Sequence, residues 1–279
     1  MLQEINSKAP IGIFDSGYGG LTILSEIRRT LPQYDYIYLG DNARAPYGTR
    51  SFEIVYRFTL EAVQYLFNQG CQLVILACNT ASAKALRSIQ QNDLPHIDPN
   101  RRVLGVIRPT VEILDTVTHN GHIGLLGTPG TINSESYTAE VAKLYPQYTI
   151  HGQACPLWVP LIENNEINSE GTDFFVKKYI DQLLAQSPLI DTMILGCTHY
   201  PLLYNLINKH LPSHINILSQ GNLVANSLKD YLYRHPEIEQ KCARNGRCTF
   251  LTTESSKKFT ETATLFLQDT ITAQQIELG

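Results

Sequence analysis

The sequence predicts an α/β protein of two pseudo-symmetric lobes, each a mainly parallel sheet flanked by helices, with the active site between them. Three observations carry this. Apolar runs alternate with amphipathic helical stretches along the 279 residues, the pattern of a parallel sheet built from strand–helix units. One motif occurs twice: 73–82 reads LVILACNTAS and 192–201 reads TMILGCTHYP. Each is a short apolar run, a small residue, a cysteine and then polar side chains, which reads as a buried parallel strand ending where α/β sheets bind ligands. A second echo joins 11–20, IGIFDSGYGG, to 123–132, IGLLGTPGTI. The turns are 112 residues apart (123 − 11) and the cysteines 119 (197 − 78), as in two half-domains of like topology rather than a short-period solenoid. The expected division is 8–103 with 218–279 for the first lobe and 104–217 for the second.

In chain order, 1–8 reads as a disordered lead-in. A strand at 11–14 enters the turn 15–20. Asp15 and Ser16 there suit turn caps as well as they suit a carboxylate and hydroxyl facing a cleft, with glycines admitting backbone N–H groups to an anion. The turn is not GxGxxG, which weakens a dinucleotide reading. A strand at 36–39 precedes the loop 43–49, where Pro46-Tyr47-Gly48 is either a plain connection or a lid. Residues 51–68 predict a helix: Ile54, Val55, Phe58, Ala62, Val63, Leu66 and Phe67 recur at helical spacing, Ser51 can cap it and Gly70 can stop it. The first cysteine strand leads to a helix at 81–90 and a loop at 94–102. A strand at 103–107 is expected to end at Pro109. A strand at 124–126, a turn at 128–131 and a helix at 134–144 follow. The stretch 154–160, with Pro156 and Pro160, is too proline-rich for a central strand; it is expected to be irregular and to lead to Glu163. A helix at 172–186 then precedes the second cysteine strand. After it come a strand at 215–218, a helix at 223–233 returning to the first lobe, a last strand at 249–252 and a last helix at 259–267.

Apolar residues make up 43% and charged residues 17%, as in globular domains. A net charge of −4 argues against a nucleic-acid footprint. The start MLQEINSKAP has no apolar signal core, and no apolar run nears the ~20 residues of a membrane helix. A cytoplasmic location is therefore expected, with neither nucleic acid nor membrane as partner. There, the six cysteines are expected as reduced thiols. Cys71, Cys155, Cys242 and Cys248 read as buried or incidental, and the Cys242/Cys248 pair is too isolated for a zinc site. With no dinucleotide signature and no metal cluster, neither cofactor nor metal is expected.

A lone cysteine after a buried strand is more often a small core residue than a catalyst. Two in register, beside Asn79-Thr80 and Thr198-His199, suit a different chemistry, in which a proton leaves one face of a carbon and another arrives on the opposite face. One must be thiolate and the other thiol, and a thiol pKa near ~8.5 lets neighbours set either state. Asp15 and His199 are the candidates to assist at their respective cysteines. Two other classes stay open. A Cys–His hydrolase would use Cys197 and His199 but leaves Cys78 and the repeat unexplained. A two-lobed binding protein without catalysis would usually carry an export signal.

The set Asp15-Ser16-Gly17, Pro46-Tyr47-Gly48, Ala77-Cys78-Asn79-Thr80-Ala81-Ser82 and Gly196-Cys197-Thr198-His199-Tyr200-Pro201 resembles the glutamate racemases over 10–267. These are cofactor-independent enzymes that make D-glutamate for peptidoglycan. The resemblance implies that Cys78 and Cys197 are the acid/base pair, with Asp15 acting on the Cys78 side and Glu163 with His199 on the Cys197 side. It implies glutamate binding by Asp15, Ser16, Pro46, Tyr47, Gly48, Asn79, Thr80, Thr128, Thr198 and His199, and it allows a homodimer. Thr131, Ser134, Tyr137 and the segment 155–163 also resemble family segments of the second lobe. An aspartate racemase of the same superfamily is the nearest rival, disfavoured by the residues beside the two cysteines. Arg108, and Ser219-Gln220-Gly221 where an acidic residue is common, depart from the family pattern.

Overall fold

The computed structural model describes residues 8–267 and 269–279; the expected lead-in, apart from Lys8, lies outside the described residues. The strands are β1 (Ile11–Asp15), β2 (Tyr36–Gly40), β3 (Leu73–Leu76), β4 (Arg102–Gly105), β5 (His122–Gly127), β6 (Thr149–Ala154), β7 (Thr192–Gly196), β8 (Asn216–Leu218), β9 (Cys248–Thr252) and β10 (Ala273–Gln275). They form two sheets, β10-β9-β2-β1-β3-β4 and β6-β5-β7-β8, in which every pairing is parallel. Counted from its own first strand, each sheet contains the order 2-1-3-4. The echo in the sequence is thus an echo in topology: Cys78 follows β3 and Cys197 follows β7, the same position in each sheet. The strands β1, β2, β3 and β7 are buried along their whole length, which is why they read as continuous apolar runs.

Helix Gly20–Thr30 packs on helix Gln220–Arg234. Their apolar faces join residues of both sheets in one core that holds Leu21, Ile23, Leu24, Val224 and Leu228 together with Trp158, Met193 and Leu195. A second core lies under helix Phe52–Asn68, whose Ser51 cap accepts from the Ile54 N–H at 3.4 Å and whose run ends at Gly70 with φ +94°. No helix among the described residues is long and apolar enough to cross a membrane.

Several local expectations are corrected. The helix after the first cysteine begins at Asn79, not at position 81, because Cys78 is its N-cap and its sulfur accepts from the Ala81 N–H at 3.4 Å. That helix stops at Lys84 and is followed by short helical turns as far as Ile97, so the expected loop at 94–102 is helical in its first part. Strand β4 ends at Gly105, and Pro109 lies in the first turn of helix Ile107–Glu112, where its missing N–H leaves no bond unmade. The turn at 128–131 is helix Pro129–Asn133, capped by Thr128. Of the segment 154–160, Ala154 closes β6 and only 155–157 is irregular, since Trp158–Glu163 is helical and sets Trp158 wholly inside. Strands β6 and β10 and helix Tyr204–His210 lack the buried apolar run or long periodicity that marks the other elements.

Candidate active site

The carboxyl ends of β1, β3, β5 and β7 open on a cleft of about 680 Å3, counting its mouth. Of the residues singled out for the site, Ser16, Pro46, Tyr47, Gly48, Cys78, Asn79, Thr80, Thr128, Glu163, Cys197, Thr198 and His199 all line it. Asp15 sits behind this lining, 1% exposed.

On one side Cys78 is 6% exposed. Its sulfur lies 3.4 Å from Ser16 Oγ and 3.4 Å from the Ala81 N–H. Burial pushes its thiol up to about 12, reinforced by the charges of Asp15 and Cys197 and opposed by those two hydrogen bonds. It is therefore a neutral thiol at neutral pH. Burial likewise raises the Asp15 carboxyl, against the pull of His199 and the N–H groups of Gly17 and Gly20. The Gly17 N–H donates to Asp15 Oδ2 at 2.9 Å, while Oδ1 has no partner among the described residues.

On the other side Cys197, also 6% exposed, has its sulfur 3.8 Å from His199 Nδ1. The far nitrogen of that ring, Nε2, lies 2.9 Å from Glu163 Oε1. Burial alone would lower the His199 pKa, but hydrogen bonds to Cys197 and Glu163 and the charges of both overcome it and bring the value up to about 10. His199 is thus an imidazolium at neutral pH, donating to Glu163 and facing the Cys197 sulfur. The Phe266 ring meets it edge-on at 5.5 Å.

The two halves of the cleft are tied across the gap. Thr22 Oγ1 donates to the Thr198 carbonyl at 2.9 Å, the Gly130 N–H donates to the Gly48 carbonyl at 2.7 Å, and Thr80 and Thr128 share a hydroxyl contact at 2.9 Å. Thr131 stands behind that contact, its hydroxyl 3.1 Å from Thr128 Oγ1. Tyr47 is held from behind: its hydroxyl donates to Asp41, whose carboxylate also takes Arg44 Nε at 2.7 Å and Thr253 Oγ1 at 2.8 Å. Ser134 caps locally onto the Thr131 carbonyl at 2.7 Å and is not among the residues that line the cleft.

Two features of the site escape sequence reasoning. Cys155, which reads as incidental, lines the cleft with Pro156, Val159 and Pro160. Its place in the segment leading to Glu163 is the only available signal. The side chain of Asn79 has both ends bonded, Nδ2 to Gln220 Oε1 and Oδ1 to the Tyr137 hydroxyl, and nothing local at position 79 announces partners 58 and 141 residues away. Among the described residues no group of three or more His, Cys, Asp or Glu side chains converges as a metal centre requires.

What the arrangement offers is two sulfurs on separate strands facing one small cleft, one with a hydroxyl, an N–H and a carboxyl behind it, the other with an imidazolium–carboxylate pair. The chain matches the family model for Asp/Glu/hydantoin racemases over residues 20–226. It is 46% identical over 220 residues to a glutamate racemase of Persephonella marina, covering 78% of this chain and 81% of that one. Among solved structures it superposes on a Bacillus anthracis glutamate racemase with a TM-score of 0.88 at 37% identity, covering 97% and 98% of the two chains. A Francisella tularensis glutamate racemase, solved with D-glutamate, gives 0.86 at 31% identity with the same coverage.

Proposed function

The chain belongs to the Asp/Glu/hydantoin racemase family, and from that premise we propose that it interconverts L- and D-glutamate by two-base proton transfer between Cys78 and Cys197, supplying D-glutamate for peptidoglycan. The observation that carries the reading is the placement of two thiols at equivalent strand ends on one cleft. A Cys–His hydrolase has no use for the second thiol or for the repeated topology.

In the proposed reaction one cysteine, as thiolate, takes the α-proton and the other, as thiol, protonates the opposite face. The carbanion between the two steps is a poor one, and hydrogen-bond donors fixed in a water-poor site stabilise its charge where it spreads into the carboxylate. Ser16, Thr80, Thr198 and the backbone around Tyr47-Gly48 line the cleft and supply such donors. Cys78, neutral at rest, is the resting acid, with Asp15 behind it as the group that receives or returns its proton. His199, positively charged, offsets negative charge on Cys197, and Glu163 holds the ring in place. Lobes bounded at 8–103 with 218–279 and at 104–217, a cytoplasmic location and a homodimeric assembly belong to the same proposal.

The test is optical rotation of L-glutamate with purified chain and no added cofactor. Rotation should decay to zero, and product formed early in D2O should carry solvent deuterium while unreacted substrate keeps its proton. Cys78→Ser and Cys197→Ser should each lose racemisation in both directions by at least about a hundredfold, since each direction needs one acceptor and one donor. Faster turnover of aspartate, or a serine variant of near-normal activity, overturns the reading.

A further inference from the structure

Beside Cys78 lies a closed ring of hydrogen bonds that the proton transfer does not use. Gln220, first residue of helix Gln220–Arg234, is 2% exposed. Its Oε1 accepts from Asn79 Nδ2 at 2.5 Å. Its Nε2 donates to the Tyr137 hydroxyl at 2.7 Å and to Thr110 Oγ1 at 2.8 Å. The Tyr137 hydroxyl donates in turn to Asn79 Oδ1 at 2.7 Å, and Thr110 Oγ1 donates to the Val106 carbonyl at 2.8 Å.

The donors and acceptors admit one orientation of the two amides. Turning Asn79 alone sets its oxygen against Gln220 Oε1. Turning both together would set Gln220 Oε1 against the Val106 carbonyl, which lies 3.3 Å from the present Nε2 and can only accept. The ring therefore fixes Asn79 with its nitrogen as the donor, uses one of its two N–H bonds and leaves the other, on a residue that lines the cleft next to Cys78.

We propose that Gln220 is a positioning residue for the substrate: through this ring it locks the Asn79 amide so that the remaining N–H is offered to a substrate carboxylate beside Cys78. This rests on the cleft taking glutamate. Gln220 touches no substrate itself and acts only through Asn79. Asn79 comes from the first sheet's motif, whereas Tyr137 sits on helix Ser136–Leu144 beside the second sheet, so the amide is oriented from both sides of the cleft.

The experiment compares KM and kcat for glutamate in the wild type, Gln220→Met, Asn79→Ala, the double variant and Tyr137→Phe. Methionine keeps the length of glutamine without its donors. Losing a donor to a substrate carboxylate weakens binding and also loosens the hold on charge that develops there, so Gln220→Met should raise KM about tenfold, with any fall in kcat smaller than the rise in KM. The double variant should have the KM of Asn79→Ala. Tyr137→Phe removes one hydroxyl at nearly constant volume and should raise KM in the same way, which keeps the test alive if Gln220→Met folds poorly. A fall in kcat at unchanged KM, or losses that add in the double variant, marks a merely structural role and overturns the proposal. If the wild type does not racemise glutamate, the proposed function fails, and the ring is judged by exchange of the Asn79 side-chain NH2 protons. These should exchange slowly in the wild type and fast in Gln220→Met; equal rates overturn the locked amide as well.

Discussion

At Gly19 the two lobes approach so closely that a methyl group has no room. Its φ of −57° and ψ of −35° suit any residue, so backbone freedom is not the reason for glycine there. A Cβ at this position would lie 2.2 Å from Thr198 Oγ1 and 2.4 Å from His199 Nδ1. Gly19→Ala must push both away, displacing the imidazolium from Cys197. We expect kcat/KM to fall by at least about tenfold, with a destabilisation of about 1–3 kcal/mol from overpacking, measured by racemisation and urea unfolding. The charge on His199 makes a second prediction. Its pKa is about 10 folded against about 6.5 unfolded, so the folded state holds the proton more tightly. The stability this supplies is fully present below about pH 6.5, declines as pH rises and is gone above about 10. The difference in Tm between wild type and His199→Gln should therefore be greatest near pH 6 and vanish towards pH 10. A difference that grows with pH would mean that His199 is neutral.

At the level of elements, what the sequence reveals is whatever is buried on both faces. The cysteine strands, the first strand of each half and helix Phe52–Asn68 are legible because each presents an uninterrupted apolar run or a full helical stripe. Strand β6 is not: it is an edge strand, exposed to intermediate along its length, and its His151, Gly152 and Gln153 carry no apolar signal. Pro109 misleads for a related reason, since a proline ends a strand or opens a helix equally well, and only the packing of helix Ile107–Glu112 decides. The site is legible as a set of strand ends, but the Asn79–Tyr137–Gln220 ring is not, because hydrogen bonds across 58 to 141 residues leave no periodicity. Caps outside the site should act on stability alone. Ser169 Oγ accepts from the Thr172 N–H at 3.2 Å at the start of helix Glu170–Leu184. Ser169→Ala should cost about 1 kcal/mol and lower Tm by about 2–4 °C while leaving kcat and KM unchanged; altered kinetics would tie this remote helix to the cleft.

For the whole molecule, the shared core limits how the cleft can close. Helices Gly20–Thr30 and Gln220–Arg234 pack together, and their apolar residues belong to the same core as Trp158, Met193 and Leu195 of the second half. Swinging the halves apart would open that core to water, at a cost of about 25 cal/mol for each Å2 of apolar surface exposed. The rim is held far more lightly, by the hydrogen bond from the Gly130 N–H to the Gly48 carbonyl at 2.7 Å and the Thr80–Thr128 hydroxyl contact. Substrate binding should therefore act on the rim, where excluding water strengthens the electrostatics on which proton abstraction depends. Amide hydrogen exchange should slow on adding glutamate at 43–49 and 128–134, with Gly130 the most sensitive reporter, and should stay unchanged in the two core helices. Protection gained in those helices would instead show that the halves rock as bodies about a core that opens. No change at the rim would show a cleft already formed before substrate arrives.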